Sequence, residues 1–267
     1  MRRQFENAFT YAEFTTFLLT FMPIMASSRV LHAHDPVPRA TGRWFRRFGR
    51  VTSALTPLWD FRVDGLPPED IRECAGEPAR AYVVVSNHLS NADAFLLSWL
   101  PWDMQWVGKE ELFRLPLLGI LFRLAGDIPL KRGSADSVRA MFSECRHALK
   151  HGLSIMLFPE GTRSKDGGVA PFKEGAFQLA IEEGAPILPV AIAGTQRCMA
   201  KNTMRLGKAR AIARILEPIE TRGMGEADVD ALRERVERRI RAAAAELEAE
   251  LMGRSAAAVA AEWAAVP

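Results

Sequence analysis

Residues 82–93 read YVVVSNHLSNAD, a strand-like run followed directly by polar residues. Its first five residues form an apolar, β-branched run with the length of one buried strand, and polar residues follow at once. Strand-like and helical patterns then alternate along the chain. The strand-like runs lie at 61–64, 105–108, 154–158, 187–193 and 209–219, and the helical patterns at 91–100, 110–124, 134–150, 173–183 and 226–252. This alternation predicts an α/β sheet covered by helices on both faces.

The polar end of the opening stretch contains the first candidate site. His88 precedes Asp93 with four residues between them. At that spacing a strand-to-helix turn can bring the carboxylate back to the imidazole, so that Asp93 accepts one ring N–H and the other ring nitrogen remains as a base. The pair alone is weak evidence, because such a spacing often occurs by chance and a purely structural histidine fits it equally well.

A second candidate site follows another strand-like run. Residues 154–164 read SIMLFPEGTRS. Gly161 permits a tight turn, and Arg163 offers a planar, permanently charged fork that suits phosphate. An ordinary surface turn would have the same composition. The Gly-Lys-Ser/Thr ending of a nucleotide-binding P-loop is missing, so nucleotide hydrolysis is set aside.

Taken together, these two segments resemble a known family. Residues 87–93 (NHLSNAD) and 158–164 (FPEGTRS) resemble the main motifs of the HxxxxD glycerolipid acyltransferases, and most closely those of the 1-acylglycerol-3-phosphate acyltransferases. Three weaker blocks stand in the family's order, at 108–119 (GKEELFRLPLLG), 171–176 (PFKEGA) and 187–192 (ILPVAI). The resemblance covers about residues 60–220 and implies the glycerolipid acyltransferase fold, with a central mixed sheet covered by helices.

One segment departs from the family pattern. Residues 126–132 read GDIPLKR, in which Arg132 is retained but Lys131 stands where the family often has an acid. The extra cation either favours an anionic headgroup or points to solvent.

The resemblance also implies a reaction. An acyl group would pass from acyl-CoA or acyl-carrier protein to the sn-2 hydroxyl of lysophosphatidic acid and give phosphatidic acid. His88 would take the hydroxyl proton, Asp93 would orient His88, and Glu160 would hydrogen-bond within its loop or to the acceptor. No metal and no cofactor beyond the acyl donor is expected. The implied substrate-binding residues are Lys109, Arg132, Glu160, Gly161, Thr162 and Arg163.

Three alternatives remain open at this stage. A hydrolase would use the same His–Asp pair with water as acceptor, although the chain has no obvious GxSxG elbow. A non-catalytic lipid-binding protein could retain the fold without needing a base. Within the acyltransferases, the acceptor could be lyso-ornithine lipid or another lysophospholipid.

The first 58 residues differ in composition from the rest. Residues 8–27 are apolar and long enough to span a bilayer, but they contain Glu13 and Pro23, so a signal peptide and a core helix remain alternatives to a membrane anchor. Residues 36–59 contain five arginines and no acid. A helix over 42–56 would carry Trp44, Phe48, Val51 and Leu55 on one face and Arg43, Arg46, Arg47 and Arg50 on another. That pattern predicts a helix in the lipid headgroup region, or one packed on the domain.

Length, charge and cysteines set the outer bounds. The 267 residues suit one catalytic domain, which we place at 59–222, between N-terminal membrane-anchoring helices at 1–58 and a C-terminal helix and Ala-rich tail at 223–267. The net charge of +3 is small, and no nucleic-acid partner is predicted. The three cysteines lie far apart without zinc spacing, which suits a reducing compartment. Because both thioester donors would be cytosolic, we expect membrane association at the cytoplasmic face of the inner membrane, in contact with membrane lipids.

Overall fold

The computed structural model describes residues 2–72, 79–164, 167–199 and 206–264, so Cys74 lies outside the described residues. The strands are β1 (Trp59–Asp64), β2 (Val83–Ser86), β3 (Met104–Lys109), β4 (Ile128–Leu130), β5 (Ser154–Leu157), β6 (Ile187–Ala193) and β7 (Ala209–Ile215). The helices are α1 (Arg2–Leu31), α2 (Arg39–Leu55), α3 (Asp93–Leu97), α4 (Leu118–Ala125), α5 (Ala135–Lys150), α6 (Gly175–Glu182), α7 (Thr195–Cys198), α8 (Val229–Met252) and α9 (Ala256–Ala264). Single 3-10 turns lie at Glu69–Ile71, Glu110–Arg114 and Glu226–Asp228.

These strands form one mixed sheet in the order β1-β7-β6-β2-β5-β3-β4. Strands β2 to β6 run parallel to one another, whereas β7 runs antiparallel to β6 and β1 runs parallel to β7. The predicted mixed α/β sheet is confirmed. Because β6, β2, β5, β3 and β4 are parallel, their carboxyl ends meet at one edge, where open α/β sheets bind ligands.

The central strand β2 is buried on both faces of the sheet. Val83 and Val85 point into one core with α5, α6 and α8, and Val84 points into a second core with α3. Alternate side chains of a strand lie on opposite faces, so a continuous run of valines fits a strand covered twice. The helices thus cover both faces, as the sequence predicted.

Several element boundaries differ from the predictions. Strand β4 was not predicted, because it has three residues and includes Pro129, which an edge strand tolerates. The predicted helix at 110–124 divides into a 3-10 turn and α4, since Pro116 lies between them. The predicted helix at 91–100 is reduced to α3, which has five residues.

The N-terminal helix α1 is long and apolar enough to cross a membrane. An 18-residue window within the span Glu6–Leu31 has a mean hydropathy of 1.3, and only 17% of that window is buried within the molecule. One side of α1 nevertheless packs on α2 and α4 through an aromatic cluster, in which the Phe21 and Phe48 ring centroids lie 5.8 Å apart. Length and composition therefore permit a membrane span, and packing ties the same helix to the domain.

The expected arrangement of α2 was wrong in part. Phe45 and Phe48 are buried, whereas Leu55, which we placed on the same apolar face as Phe48, is 59% exposed. The Arg46 side chain is 11% exposed and its Nη2 lies 2.6 Å from Asp127 Oδ1, and Arg43 forms an ion pair with Asp103 at 2.7 Å. The helix packs on the domain, so the four arginines do not form one free cationic face.

The C-terminal segment is part of the main core. Val236, Ile240 and Leu247 of α8 are fully buried in the core that includes β2 and β6. Helix α9, which the Ala-rich tail did not predict, packs against α8 through Val259. Helix α8 therefore packs in the same core as β2 and β6, and the domain boundaries at 58/59 and 222/223 remain predictions.

Candidate active site

The loop after β2 is fixed to the neighbouring strand by an asparagine. The Asn87 side chain donates to the Ile192 carbonyl and accepts the Ile192 N–H, both at 2.9 Å. Asn87 is 1% exposed, so a buried amide satisfies both its polar ends on β6. This pairing fixes the backbone immediately before His88.

His88 and Asp93 form the hydrogen bond that the sequence predicts. His88 Nδ1 lies 2.6 Å from Asp93 Oδ2, and the same oxygen accepts the backbone N–H groups of Leu89 at 2.8 Å and Ser90 at 3.0 Å. The Asp93 side chain is 0% exposed and that of His88 is 19% exposed. With Nδ1–H donated to the carboxylate, the lone pair of Nε2 is the one directed away from Asp93 and suited to a base.

An aromatic ring holds the imidazole from one side. The Phe158 ring stacks on His88 with centroids 4.1 Å apart and an interplanar angle of 20°. Phe158 in turn meets Trp106 edge-on at 6.2 Å. The first residue of FPEGTRS therefore supports the histidine of the other motif, a role that the sequence did not reveal.

The EGTRS loop is bonded directly to the HxxxxD loop. The Ser164 N–H donates to the His88 carbonyl at 2.7 Å, and the Gly161 N–H donates to the Phe158 carbonyl at 3.0 Å. Gly161 has a φ of +70°, and a Cβ on it would lie 3.0 Å from Lys173 Nζ. Glycine therefore suits this turn both by its backbone conformation and by the small space beside it. The two motifs form one site.

Glu160 joins its own loop to the HxxxxD loop through its carboxylate. Its Oε1 accepts the His88 N–H at 2.6 Å and its Oε2 accepts the Ala170 N–H at 3.0 Å. Glu160 is 4% exposed and both of its carboxylate oxygens accept hydrogen bonds within the site, as in the loop-bonding alternative, while its contact with the acceptor remains a prediction. Burial raises the pKa of Glu160 to about 7, although its two backbone hydrogen bonds lower it.

That raised pKa gives a prediction for stability. At about pH 5 Glu160 is protonated in the folded state but already ionised in the unfolded state, and by about pH 8 it is ionised in both. The free energy of unfolding that this group contributes therefore falls as pH rises. We expect the unfolding free energy of wild type to fall relative to that of Glu160→Gln by on the order of 2–3 kcal/mol over this range.

Denaturant unfolding in detergent at both pH values measures this difference. The exposed Glu144 supplies the matched Glu144→Gln control, for which no such trend is expected. A constant difference between wild type and Glu160→Gln would contradict the burial argument.

The predicted phosphate-binding residues lie at the same edge of the sheet as His88. Arg163 is partly exposed and Thr162 exposed in the EGTRS loop, while Lys109 ends β3 and Arg132 follows β4. Lys109 is 48% exposed and lies 3.1 Å from Glu111. Within the described ranges, neither Lys109 nor Arg132 forms a hydrogen bond with His88, and their roles remain predictions.

Two further polar groups in the site were not predicted. Ser90 Oγ donates to the Met199 carbonyl at 2.8 Å and accepts the Ala92 N–H at 3.2 Å, so its hydroxyl is occupied. Thr195 Oγ1 donates to Asp93 Oδ1 at 2.5 Å from a position 102 residues away. The sequence pattern nearest to Thr195 is the block at 187–192, which ends three residues before it.

Other titratable groups do not form a metal site in the described part of the chain. No group of three or more His, Cys, Asp and Glu side chains that could hold a metal ion comes together there. Cys145 and Cys198 are buried, and burial raises the pKa of each thiol to about 12, so both remain protonated. The chemistry of the described site belongs to His88 and its neighbours.

Comparisons with known proteins agree with this geometry. The sequence model of the Acyltransferase family matches residues 68–193. A 1-acyl-sn-glycerol-3-phosphate acyltransferase of Limnanthes douglasii is 32% identical over 210 residues, which cover 78% of this chain and 73% of that protein. The protein of the same name from Haemophilus influenzae is 34% identical over 184 residues, covering 68% and 70% of the two chains.

A solved structure shares the whole architecture. The 1-acyl-sn-glycerophosphate (LPA) acyltransferase PlsC of Thermotoga maritima superposes with a TM-score of 0.75 at 25% identity, covering 92% of this chain and 96% of that one. Fold and site define an O-acyltransferase. The chain belongs to the 1-acyl-sn-glycerol-3-phosphate acyltransferase family.

Proposed function

We propose that this enzyme transfers an acyl group from a thioester donor to the sn-2 hydroxyl of lysophosphatidic acid and forms phosphatidic acid. The observation that carries the proposal is the His88–Asp93 hydrogen bond of 2.6 Å, in a loop bonded to the Arg163 loop. A base and a phosphate-binding fork in one site suit an acceptor that carries both a hydroxyl and a phosphate. The names of the relatives support the same acceptor.

The chemistry proceeds by direct attack. His88 Nε2 takes the proton of the sn-2 hydroxyl as the hydroxyl oxygen adds to the thioester carbonyl carbon. Collapse of the tetrahedral intermediate breaks the C–S bond, and the imidazolium returns the proton to the leaving thiolate. Asp93 stabilises the imidazolium in between. No enzyme ester is needed, which suits a Ser90 hydroxyl already bonded to Met199 and Ala92.

The developing oxyanion needs hydrogen-bond donors. At the start of α3, the N–H groups of Ala92 and Asp93 already donate to Ser90, and those of Leu89 and Ser90 donate to Asp93. In the turn around Gly161 and Thr162, the Gly161 N–H donates to the Phe158 carbonyl, so the Thr162 N–H is the donor that this turn can offer to the oxyanion. We assign the oxyanion site to the backbone of this turn.

The acceptor phosphate is assigned to the cations at the carboxyl edge of the sheet. Arg163 lies in the loop that contacts His88, and the exposed Lys109 and Arg132 follow from β3 and β4. Arginine binds phosphate through two parallel N–H donors, whereas lysine acts as a point charge. The donor is acyl-CoA or acyl-carrier protein, and no further cofactor enters the reaction.

An acceptor comparison tests the proposed function. Purified protein receives radiolabelled oleoyl-CoA and, in separate reactions, lysophosphatidic acid, lysophosphatidylcholine, lyso-ornithine lipid or monoacylglycerol, and the products are separated by chromatography. We expect lysophosphatidic acid to give the highest kcat/KM. A higher value for lyso-ornithine lipid or lysophosphatidylcholine would move the acceptor assignment while leaving the chemistry intact.

We further propose that the enzyme works at the cytoplasmic face of a membrane. Helix α1 is apolar and mostly unburied, and the adjacent α2 exposes Arg47 and Arg50, which lie 4.7 Å and 5.0 Å over the rings of Trp44 and Trp99. Exposed arginines beside tryptophans suit the headgroup region of an anionic bilayer. Arg43 and Arg46 are excluded from this role because they bind Asp103 and Asp127.

This arrangement predicts a charge-dependent loss of membrane binding. Replacing Arg47 and Arg50 by Gln removes two cations, each worth about 1 kcal/mol near an anionic surface, so binding to phosphatidylserine-containing vesicles should weaken roughly 30-fold. Binding to neutral vesicles should change little. The matched control replaces Arg139 and Arg238, which are exposed on α5 and α8 across the sheet. If the control pair loses as much binding, the interfacial role of Arg47 and Arg50 is wrong.

A further inference from the structure

Asp93 is held through both of its carboxylate oxygens, from two distant parts of the chain. Oδ2 accepts hydrogen bonds from the His88 ring and from two backbone N–H groups of its own loop, whereas Oδ1 accepts a hydrogen bond from the Thr195 hydroxyl at 2.5 Å. Thr195 and Asp93 are both 0% exposed. Among the described residues, Thr195 is the hydrogen-bond donor to Oδ1.

The backbone fixes Thr195 in this position. It is the first residue of α7, directly after β6 and Gly194. Gly194 has a φ of +95°, and a Cβ there would lie 2.2 Å from the Arg210 carbonyl oxygen, so only glycine permits this turn. The hydroxyl is thus placed by the sheet itself and not by a surface loop.

We propose that Thr195 is a positioning residue of the acyl-transfer reaction, which holds the Asp93 carboxylate oriented toward His88. The proposal rests on the function proposed above. A carboxylate oxygen buried without a donor loses a charge-assisted hydrogen bond and is not resolvated by water. Without the Thr195 hydroxyl, the negative charge of Asp93 is less well stabilised, and the His88–Asp93 pair holds a proton more tightly.

This has a definite consequence for the pH profile. His88 can act as a base only after the His88–Asp93 pair has released this proton. Loss of the Thr195 donor therefore moves the acidic limb of the kcat/KM profile to higher pH, whether His88 or Asp93 carries the proton. In the described part of the chain, His88, Glu160 and Cys198 are the titratable groups with an interaction with Asp93. The pKa of Glu160 is about 7 and that of Cys198 about 12, and neither group bonds to Thr195. The shift relative to wild type therefore isolates the hydroxyl.

The test compares Thr195→Val, Thr195→Ser and Thr221→Val. Valine has the shape of threonine without its hydroxyl, and serine retains the hydroxyl. Thr221 is a matched control, because it is 1% exposed and its hydroxyl donates to the Ala180 and Ala185 carbonyls. We measure kcat/KM with oleoyl-CoA and lysophosphatidic acid from pH 5 to pH 10.

For Thr195→Val we expect the acidic limb of the kcat/KM profile about 1–2 pH units above that of wild type. This shift lowers kcat/KM about 10- to 100-fold at the acidic end of the pH range. The acceptor KM should remain close to the wild-type value, and activity should recover in large part at high pH. Thr195→Ser and Thr221→Val should keep the wild-type limb.

The proposal is overturned if the acidic limb of Thr195→Val lies at the same pH as that of wild type, or if Thr221→Val shows an equal shift. Thr195 would then be a structural residue. Should Thr195→Val not fold, Thr195→Cys replaces it, because a thiol is a weaker donor of similar size, and an unshifted limb again overturns the proposal. If wild type itself forms no phosphatidic acid, it is the proposed function that fails.

Discussion

His88→Ala should lower the turnover of this enzyme by at least about a hundredfold, which is the lower end of general-base contributions. The variant removes the ring whose Nδ1 lies 2.6 Å from Asp93 and whose Nε2 is assigned to the hydroxyl proton. It should fold, because the ring is 19% exposed and the loop is held independently by Asn87, Glu160 and Ser164. The acceptor KM should change little, since binding is assigned to the cations.

The measurement is initial-rate kinetics with oleoyl-CoA and lysophosphatidic acid, on proteins of matched expression and matched thermal midpoint. His151→Ala is the control, because His151 is exposed at the end of α5, outside the site. If His88→Ala retains more than about a tenth of wild-type turnover, His88 is not the base.

The second large effect concerns Arg163 and the acceptor phosphate. Arg163→Lys keeps the charge but loses the planar fork, and charge-assisted hydrogen bonds contribute about 1.5–3 kcal/mol. We therefore expect use of lysophosphatidic acid to weaken roughly ten- to hundredfold through a higher acceptor KM, with the donor KM nearly unchanged. Monoacylglycerol lacks the phosphate, so it should be a poor substrate that the substitution barely affects.

The decisive comparison uses two acceptors and two proteins, with Arg210→Lys as the control. Arg210 is an exposed arginine on β7 that forms an ion pair with Asp60, so the same chemical change there should affect neither acceptor. Equal losses on both acceptors would assign Arg163 to the structure of its loop. A change confined to acyl-CoA saturation would assign it to the donor.

The sequence predicted what local patterns control. The valines of β2 and the HxxxxD spacing belong to one short segment, so strand, turn and His–Asp pair followed from neighbouring residues. The resemblance then joined this segment to the EGTRS loop. The Ser164 N–H at 2.7 Å from the His88 carbonyl now shows how the two segments meet.

Features that depend on distant partners were not predictable in this way. Thr195 lies 102 residues from Asp93, and Phe158 stacks on a histidine 70 positions earlier. Helix α2 illustrates the same limit. Its arginines and aromatics fit a lipid interface or a protein surface, and only the positions of Asp103 and Asp127 show which arginines the domain neutralises.

The central claim is that this site transfers an acyl chain to a lysophospholipid hydroxyl. The most direct test follows the label of acyl-radiolabelled oleoyl-CoA incubated with purified wild type, with and without lysophosphatidic acid, while released CoA thiol is titrated. We predict that the label moves into phosphatidic acid with one thiol released per molecule formed, and that release is slow without the acceptor. Label accumulating as free oleic acid at the same rate in both reactions would contradict the account and identify a thioester hydrolase.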